Sequence, residues 1–297
     1  MHVIIGAGPI GTATAEHLLA TGREVTVVTR SGTGPTGARL IAADATDPDR
    51  LTGIVRGAEA IYNCANPPYH RWPELWPPMA RAILTAAERT EGTLVVMSNL
   101  YQYGPVHGPI TEDLPLATTS VKGKIRTRMY LDALASHETG RIRMTEARAS
   151  DFLGRGAKSL FTTMIAPKVR EGQAALIPAD FDAPHSITYT LDVGRTLATL
   201  ATDPRAYGRA WHVPSPPPVS LRQLAIRYAE LVGAPVPRLR RAPSSLLRLA
   251  ALFDAETREF IEVRYQFAAP WVLDSSAAQQ TFGLVPSTVD EALKSML

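Results

Sequence analysis

The chain has 297 residues, of which 45% are apolar and 20% charged, and its formal charge is +3. This is the composition of an ordinary globular protein, and the basic residues are spread too evenly to indicate a nucleic-acid surface. Its single cysteine excludes an intrachain disulfide and a cysteine-based zinc site. No apolar run approaches the roughly 20 residues that span a bilayer, and the first strand begins without a signal peptide, so we expect a cytoplasmic protein.

The first 150 residues alternate short apolar runs with stretches of helical spacing. Runs rich in β-branched residues predict strands, and the stretches between them predict helices. This alternation is typical of βαβ units, which form a parallel sheet with helices on both faces. We predict strands at 2–8, 24–30, 38–44, 60–66, 93–99 and 141–149, and helices at 12–22, 74–90 and near 120–138.

Beyond residue 150 the alternation loosens. The segment PSPPP (214–218) interrupts any helix or central strand, because proline lacks the backbone N–H. The basic run RLRRA (238–242) is predicted to be a solvated loop or a lid that meets an anionic substrate. Helices are predicted at 220–232, 244–252 and 256–266, and from Thr288 onward.

These patterns predict an α/β fold. We expect a Rossmann-type, doubly wound parallel sheet with a smaller, mostly helical C-terminal substrate lobe. The dinucleotide-binding core should comprise 1–150 plus 186–213, and the substrate lobe 151–185 plus 214–297.

The hexapeptide GAGPIG (6–11) follows the first predicted strand and opens a helix. In that context G-x-G-x-x-G predicts a dinucleotide site. The first glycine permits the tight turn, the second lets the backbone approach a pyrophosphate, and the third lets helix and strand pack closely. The residues of this turn that we expect at the cofactor are Gly6, Gly8, Pro9, Ile10 and Gly11.

The end of the second strand indicates which nucleotide binds. An NAD site usually has an acidic residue there, whereas this chain has Thr29, Arg30 and Ser31. A guanidinium beside a hydroxyl suits a 2′-phosphate, so we favour NADP and keep NAD as the alternative. At the third strand, Asp44 and Ala45 are expected near the adenine, with a capping or turn role as the other interpretation of Asp44.

By these motifs the chain resembles an extended or atypical short-chain dehydrogenase/reductase of the NAD(P)-dependent epimerase/dehydratase family. The resemblance runs through nearly the whole chain. It implies that Cys64, Ala65 and Asn66 border the cofactor after the fourth strand, and that Ala149 passes the nicotinamide. The matching segments are GAGPIG (6–11), NCANPP (63–68), SNLYQYG (98–104), ARASDFLGRG (147–156), DAPHSITYTLDVGRTLATL (182–200) and FGLVPSTVDEAL (282–293).

The catalytic Tyr-x-x-x-Lys pair of the family is incomplete. The resemblance implies that Lys124 holds the cofactor ribose, while Lys122 is expected to be solvated. Ser120 stands where the family has its tyrosine, and Asn99 where it has a helper serine. We expect Tyr101 to replace the missing tyrosine, because only a phenol has a pKa that a nearby ammonium such as Lys124 can lower toward neutrality. The other interpretation of Tyr101 is aromatic packing.

The proline-rich loop after the fourth strand carries aromatic residues and should form a substrate wall. From it we expect Tyr69, His70 and Trp72 at the substrate, together with Phe152 and His185 from the later segments. Either histidine is a candidate acid or base. No cluster of residues has metal-site spacing, so no metal is expected.

Three functions remain open at this point. The first is an NADP-dependent oxidoreductase that acts on a small, partly apolar alcohol or carbonyl through a non-standard acid or base. The second is a sugar-nucleotide epimerase or dehydratase, and the third is a non-catalytic NADP-binding sensor or partner protein. We expect a small-molecule substrate, no nucleic acid and no membrane, with a homodimer as the alternative to a monomer.

Overall fold

The computed structural model describes the backbone of residues 1–297 and every side chain except those of Ser244 and Glu256. Thirteen strands and eleven helices follow one another along this chain. The strands are β1 (His2–Ile5), β2 (Val25–Thr29), β3 (Arg39–Ala42), β4 (Ala60–Asn63), β5 (Thr93–Asn99), β6 (Pro109–Ile110), β7 (Met144–Ala149), β8 (Asp151–Leu153), β9 (Ala174–Ile177), β10 (Ile187–Tyr189), β11 (Ala210–His212), β12 (Arg238–Arg241) and β13 (Val272–Leu273).

Seven of the eleven helices lie where the periodicity predicts them. Helices α2, α5 and α10 are additions in segments without a predicted helix, and α6 lies in the family-matched segment 182–200. Two single 3₁₀ turns, Tyr69–Arg71 and Tyr101–Tyr103, follow β4 and β5. The helices are α1 (Pro9–Ala20), α2 (Pro48–Val55), α3 (Trp72–Glu88), α4 (Val121–Glu138), α5 (Ala166–Arg170), α6 (Thr190–Thr202), α7 (Leu221–Val232), α8 (Ser244–Phe253), α9 (Ala255–Val263), α10 (Ser276–Phe282) and α11 (Val289–Lys294).

Seven strands form one parallel sheet in the order β11-β7-β5-β4-β1-β2-β3. The strand order reverses between β1 and β4, since β2 and β3 are added on one side of β1 and the later strands on the other. The carboxyl ends of these two strands therefore flank the crevice where ligands bind in such sheets. The register pairs Ile4 with Val27 on one side and with Tyr62 on the other. The predicted α/β fold with a doubly wound parallel sheet is therefore confirmed.

Apolar clusters cover both faces of the sheet. On one face α1 and α6 pack through residues such as Leu18 and Leu197, and on the other α2 and α3 pack through Leu51 and Ile83. Strand β1 is buried along its whole length, as expected for a parallel strand covered on both sides. This packing fixes the carboxyl edge of the sheet.

A third cluster lies within the C-terminal lobe, between α5, α7, α11 and the short strands β8, β9 and β10. The basic run at 238–241 forms β12, which pairs with β9 in parallel, so the prediction of a loop or lid is wrong. Three of its four residues are exposed, as expected for a solvated run. Helix α10 lies in the segment assigned to the lobe, yet its Ala278 packs into the sheet cluster. Helix α10 thus crosses the proposed division into core and lobe, and so do the strand pairs β8–β10 and β6–β13.

Candidate active site

The glycine-rich turn after β1 has the geometry that a dinucleotide requires. Gly6 has φ +99°, and a Cβ there would lie 2.8 Å from backbone atoms of Ala65. A Cβ on Gly11 would lie 1.9 Å from the Gly6 carbonyl oxygen, so helix and strand pack as closely as predicted. By contrast, a Cβ on Gly8 would have no neighbour within 4 Å. Gly8 is the N-cap of α1, so the first helical amides face open space where phosphate is favoured.

Arg30 and Ser31 are both exposed directly after β2, where a 2′-phosphate would lie. The Ser31 hydroxyl is 2.7 Å from the Thr33 hydroxyl, and the Thr29 hydroxyl donates to the Thr33 carbonyl. Asp44 accepts hydrogen bonds from the backbone and the side chain of Thr46, and these bonds lower the pKa of its carboxyl. Asp44 therefore has the turn role that was its alternative interpretation, and the Arg30 guanidinium also acts on its charge.

A cleft of about 180 Å³ lies along the carboxyl edge of the sheet. The glycine turn forms one side, the ends of β4, β5 and β7 form its floor, and the 3₁₀ turn at Tyr69 forms the opposite wall. Twelve of the residues that the sequence predicts at the site line this cleft. They are Gly8, Pro9, Ile10, Cys64, Ala65, Asn66, Tyr69, Trp72, Asn99, Tyr101, Ala149 and Phe152.

Cys64 lies at the base of this cleft. Its side chain is almost fully buried, and burial raises the pKa of the thiol to about 12. A thiol with that pKa is protonated at neutral pH and is a poor nucleophile. Cys64 can pack against a ligand here, but it supplies no reactive thiolate. Ala45 does not line the cleft, since it packs against the α2 and α3 side of the sheet.

Two tyrosine hydroxyls meet in the cleft. The Tyr101 hydroxyl lies 2.8 Å from that of Tyr69, and the Tyr69 ring stacks on Trp72 at 5.0 Å. Burial and the neighbouring Tyr69 raise the pKa of Tyr101 well above its ordinary value. The expectation that an ammonium lowers this pKa is wrong, because burial disfavours the phenolate. At neutral pH Tyr101 is a neutral hydrogen-bond donor.

Asn99 holds the segment that carries Tyr101. Its side-chain oxygen accepts the backbone N–H of Tyr101 at 3.1 Å. The side-chain NH₂ group remains as a donor on the cleft side. An amide can donate a hydrogen bond here but cannot transfer a proton, so Asn99 does not replace the proton-shuttling hydroxyl of a serine.

The expected pair Ser120 and Lys124 does not reach the cleft. Ser120 is the N-cap of α4, and its hydroxyl accepts the N–H of Gly123 at 2.9 Å. Lys124 is exposed and borders a separate hollow between α3 and α4. Its predicted ribose contact is therefore wrong: the helix turns Lys124 outward, since residues two apart on a helix face opposite directions. Ser120 caps the helix, which replaces its expected catalytic role.

The buried face of α4 carries Lys122 instead. Its side chain is 2% exposed, and its ammonium pairs with Glu259 and with Glu262 at 2.6 Å, both on α9. The ammonium also lies 5.7 Å from the centre of the Tyr69 ring. The prediction of a solvated Lys122 is thus wrong, because α9 supplies two carboxylates that make its burial favourable.

One turn further along the same face, Arg126 lines the cleft. Its guanidinium carbon lies 4.8 Å from the Trp72 ring centre and 4.5 Å from that of Trp76. One terminal nitrogen donates to the Met97 carbonyl at 3.2 Å, while Nε has no hydrogen-bond partner. On the buried face of α4, Lys122 and Arg126 therefore have the four-residue spacing that the tyrosine and lysine of the family's catalytic pair should have.

Two of the expected substrate residues lie outside the cleft. His70 is exposed on the outer side of the 3₁₀ turn. His185 is buried, stacks on Phe267 at 4.9 Å and pairs with Asp151 at 2.6 Å. His185 therefore orients Asp151, which does line the cleft.

Several cleft residues were not predicted from the sequence. Ser98, Ser150 and Asp151 lie inside the segments SNLYQYG and ARASDFLGRG and could have been found from them, whereas no such segment indicates Met97, Arg126, Lys158 or Gln266. Lys158 is exposed at the cleft near the glycine turn, where an ammonium can contact phosphate. The full set of such residues is Met97, Ser98, Arg126, Ser150, Asp151, Lys158 and Gln266.

The family model described as the NAD dependent epimerase/dehydratase family matches residues 2–213, which include the sheet and the whole floor of the cleft. The chain belongs to this family. This family is part of the short-chain dehydrogenase/reductase superfamily. A comparison with curated proteins finds no match.

Solved structures of sugar-nucleotide enzymes have the same fold along the whole chain. The UDP-glucuronic acid 4-epimerase from Bacillus cereus, solved with UDP-glucuronic acid and NAD, has a TM-score of 0.79 at 17% identity and covers 99% of this chain and 97% of its own. The UDP-glucose 4-epimerase from Thermotoga maritima, solved with UDP-glucose, has a TM-score of 0.78 at 17% identity with 100% and 97% coverage. The dTDP-glucose 4,6-dehydratase DesIV from Streptomyces venezuelae, solved with NAD, has a TM-score of 0.76 at 19% identity with 99% and 96% coverage. At these identities the likeness establishes the fold.

Two further findings concern the described part of the chain. None of its helices has the length and hydropathy needed to cross a bilayer. Among its described side chains, no group of three or more histidine, cysteine, aspartate or glutamate residues is arranged to hold a metal ion.

Proposed function

We propose that the protein is an NADP(H)-dependent enzyme that acts on a hydroxyl or carbonyl carbon of a sugar-nucleotide substrate. The observation that carries the proposal is the cleft itself, in which a dinucleotide turn and a pair of tyrosine hydroxyls open onto the same space. The likeness to sugar-nucleotide enzymes extends through the C-terminal lobe, and this favours a sugar nucleotide over the small alcohol or carbonyl expected from the sequence.

The residues present fit a nicotinamide dinucleotide. The open space at Gly8 and the N-terminal amides of α1 would hold the pyrophosphate, with Lys158 beside them. The bound cofactor would supply or accept the hydride, and the chain must supply binding, orientation and proton transfer.

Tyr101 is the group we assign to the proton. Its raised pKa keeps the phenol protonated at neutral pH, so it is suited to donate a hydrogen bond to a substrate carbonyl oxygen. Tyr69 can pass a proton to Tyr101, because the two hydroxyls are in hydrogen-bond contact. A neutral donor favours the reductive direction, since oxidation of an alcohol needs a base to accept the proton.

The preference for NADP is supported by Arg30 and Ser31 at the end of β2, although structural neighbours were solved with NAD. Replacing the guanidinium by a carboxylate in Arg30→Asp should weaken NADP binding strongly and NAD binding little, because a 2′-phosphate would be repelled. Fluorescence titration of NADPH and NADH measures both affinities. Tighter binding of NADH than of NADPH to the unmodified protein would show that the NADP assignment is wrong.

Turnover is tested by following NADPH oxidation with 4-keto sugar nucleotides, and by following epimer formation from UDP-glucose and UDP-glucuronic acid. A parallel panel of small ketones and aldehydes tests the alternative substrate class. Reaction of the small carbonyls alone would overturn the sugar-nucleotide proposal in favour of that class.

A second candidate is cofactor binding without turnover. It is favoured by α4, which has no tyrosine four residues before a lysine and carries Lys122 and Arg126 on its buried face. Tight NADPH binding without reaction of any substrate in either panel would support this candidate.

A further inference from the structure

Helix α8 turns large apolar side chains toward solvent. They are Leu246, Leu249, Leu252 and Phe253, and each is between 45% and 86% exposed. They lie on one side of the helix, because residues three, four and seven positions apart share a face. Single exposed apolar side chains are common on proteins, whereas a contiguous apolar face marks a contact surface.

The opposite side of α8 attaches the helix to the C-terminal lobe. Ala251 is buried and Leu247 is half-buried, and α8 packs against α9. The Nε of Arg258 on α9 donates a hydrogen bond to the Ala251 carbonyl at 3.1 Å. The helix is therefore held by one side, and its apolar face points away from the protein.

The segment around α8 carries only positive charge. From residue 231 to residue 253 the chain contains four arginines and no aspartate or glutamate. They are Arg238, Arg240, Arg241 and Arg248, and all four are exposed. Arg241 pairs with Asp180 at 3.2 Å, while the other three form no ion pair with any residue that the structure describes.

Strand β12 directs two of these arginines outward. Leu239 packs against the lobe cluster, and successive side chains of a strand point to opposite faces, so Arg238 and Arg240 lie on the solvent side. The strand ends at Arg241 and α8 begins three residues later. A positive surface therefore adjoins the apolar face of α8.

We propose that α8 binds the surface of an anionic lipid membrane, with its apolar face in the interface and the neighbouring arginines at the lipid headgroups. Arginines beside an exposed apolar helix face are typical of a helix that lies on a membrane. At ten residues α8 is too short to span a bilayer, so it lies parallel to the membrane plane. The expectation of no membrane rested on the absence of a spanning segment, which a surface contact does not need.

The charge favours lipid over a second copy of this chain. In a symmetric dimer the same patch meets itself, so the arginines of both copies would repel one another with no acidic residue of this segment between them. A nucleic acid would neutralise the arginines but leave the leucines in water. Anionic lipid supplies negative headgroups for the arginines and acyl chains for the apolar face.

Sedimentation with lipid vesicles tests the proposal on the unmodified protein. Vesicles of phosphatidylcholine alone are compared with vesicles of phosphatidylcholine mixed with phosphatidylglycerol. We expect the mixed vesicles to bind about 10- to 100-fold more tightly, because each arginine near an anionic surface contributes about fivefold. Added salt should weaken this binding, since it screens the attraction between exposed charges.

Two double variants separate the two contributions. Leu249→Gln with Phe253→Gln should weaken binding to the mixed vesicles by about 10- to 100-fold, because the apolar contact is lost. Arg240→Gln with Arg248→Gln should weaken it by about 10- to 30-fold and remove most of the preference for anionic lipid. The matched control is Val285→Gln, which removes an equally exposed apolar side chain outside this segment and should bind like the unmodified protein.

A fluorescent side chain reports whether α8 itself enters the interface. The four native tryptophans are buried, so in Phe253→Trp the added indole is the one exposed to solvent. Its emission should shift to shorter wavelength with the mixed vesicles and stay unchanged with phosphatidylcholine alone. An unchanged spectrum while the protein sediments with vesicles would place the lipid contact elsewhere and overturn the proposal.

Four other outcomes would also overturn it. They are no binding to the mixed vesicles, equal binding to both kinds of vesicle, unchanged binding in Leu249→Gln with Phe253→Gln or, if that variant does not fold, in Phe253→Gln, and a dimer in light scattering that these substitutions dissociate. The last result would assign the face to a second copy of the chain. Vesicle binding without turnover would contradict the proposed function alone, and turnover without vesicle binding would contradict this inference alone.

Discussion

Replacement of Lys122 by methionine should destabilise the protein measurably. The ammonium is buried between two carboxylates, and the Glu262 carboxylate also accepts the backbone N–H groups of Val121 and Lys122 at the start of α4. Removing one partner of a buried ion pair costs about 3–5 kcal/mol, because the other partner remains as an unpaired charge. The Glu259 and Glu262 side chains are 26% and 24% exposed, so water compensates part of this loss.

We therefore expect Lys122→Met to lower the free energy of unfolding by about 2–3 kcal/mol. For a chain of this length each kcal/mol corresponds to about 2 °C, so the melting temperature should fall by about 4–6 °C. Urea unfolding and thermal melts followed by circular dichroism measure both quantities. The control is Lys124→Met, which removes an exposed ammonium two residues away and should change the free energy of unfolding by less than about 0.5 kcal/mol.

A double variant tests the electrostatic cause. Adding Glu259→Gln to Lys122→Met removes one of the two stranded charges, so most of the lost stability should return. Glu262 keeps its carboxylate in this variant, and with it the cap on α4. Equal melting temperatures for Lys122→Met and Lys124→Met would refute the reasoning, and so would a double variant that is less stable than Lys122→Met.

Three further expectations concern the cleft and the interior. Tyr101→Phe removes only a hydroxyl, so it should keep NADP affinity and lower turnover by about 10²–10⁴, and a native rate would show that Tyr101 only packs. Burial lowers the pKa of His212 below the value of about 6.5 that it has in the unfolded chain. Because the unfolded chain then binds the proton more readily, the contribution of His212 to the free energy of unfolding is fully present above about pH 6.5 and is lost as pH falls below it. The urea midpoint should thus fall between pH 7 and pH 5, and fall less in His212→Gln. Because burial raises its pKa to about 12, Cys64 should resist iodoacetamide at pH 8 in the folded protein and react once urea unfolds it.

The sheet could be predicted because its signals are local. Each strand is a short apolar run, and the glycine turn is dictated by contacts within about ten residues of sequence and by the close approach to Ala65. The basic run at 238–241 was wrongly predicted to be a loop because the contact that makes it a strand is not local. Its strand character comes from pairing with β9, more than 60 residues earlier in the chain, and the arginines on it give no local sign of that partner.

The site was harder to predict because burial decides its chemistry. The sequence alone does not distinguish Lys122 from Lys124, which are two residues apart. The carboxylates that pair with Lys122 and allow its burial come from α9, more than 130 residues later, while Lys124 stays exposed to solvent. The same holds for Tyr101, since the sequence suggests a neighbouring cation while the structure surrounds the phenol with aromatic rings. Arg126 has the same four-residue spacing from Lys122, but the sequence does not show which positions of the helix are buried, and the structure places both residues on its buried face.

Helix α10 has a consequence for how the protein is made. Its Ala278 packs into the cluster that covers β1, and Phe282 meets Trp211 of β11 edge to face at 4.7 Å. The backbone N–H and the hydroxyl of Ser287 both donate to Asp192 on α6. At a synthesis rate of about 5–20 residues per second, several seconds therefore pass between the synthesis of the last sheet strand, β11, and that of α10, which covers the sheet. Nascent chains that stop before residue 276 should expose the apolar surface beneath α10 and be recognised by chaperones, whereas full-length chains bury it.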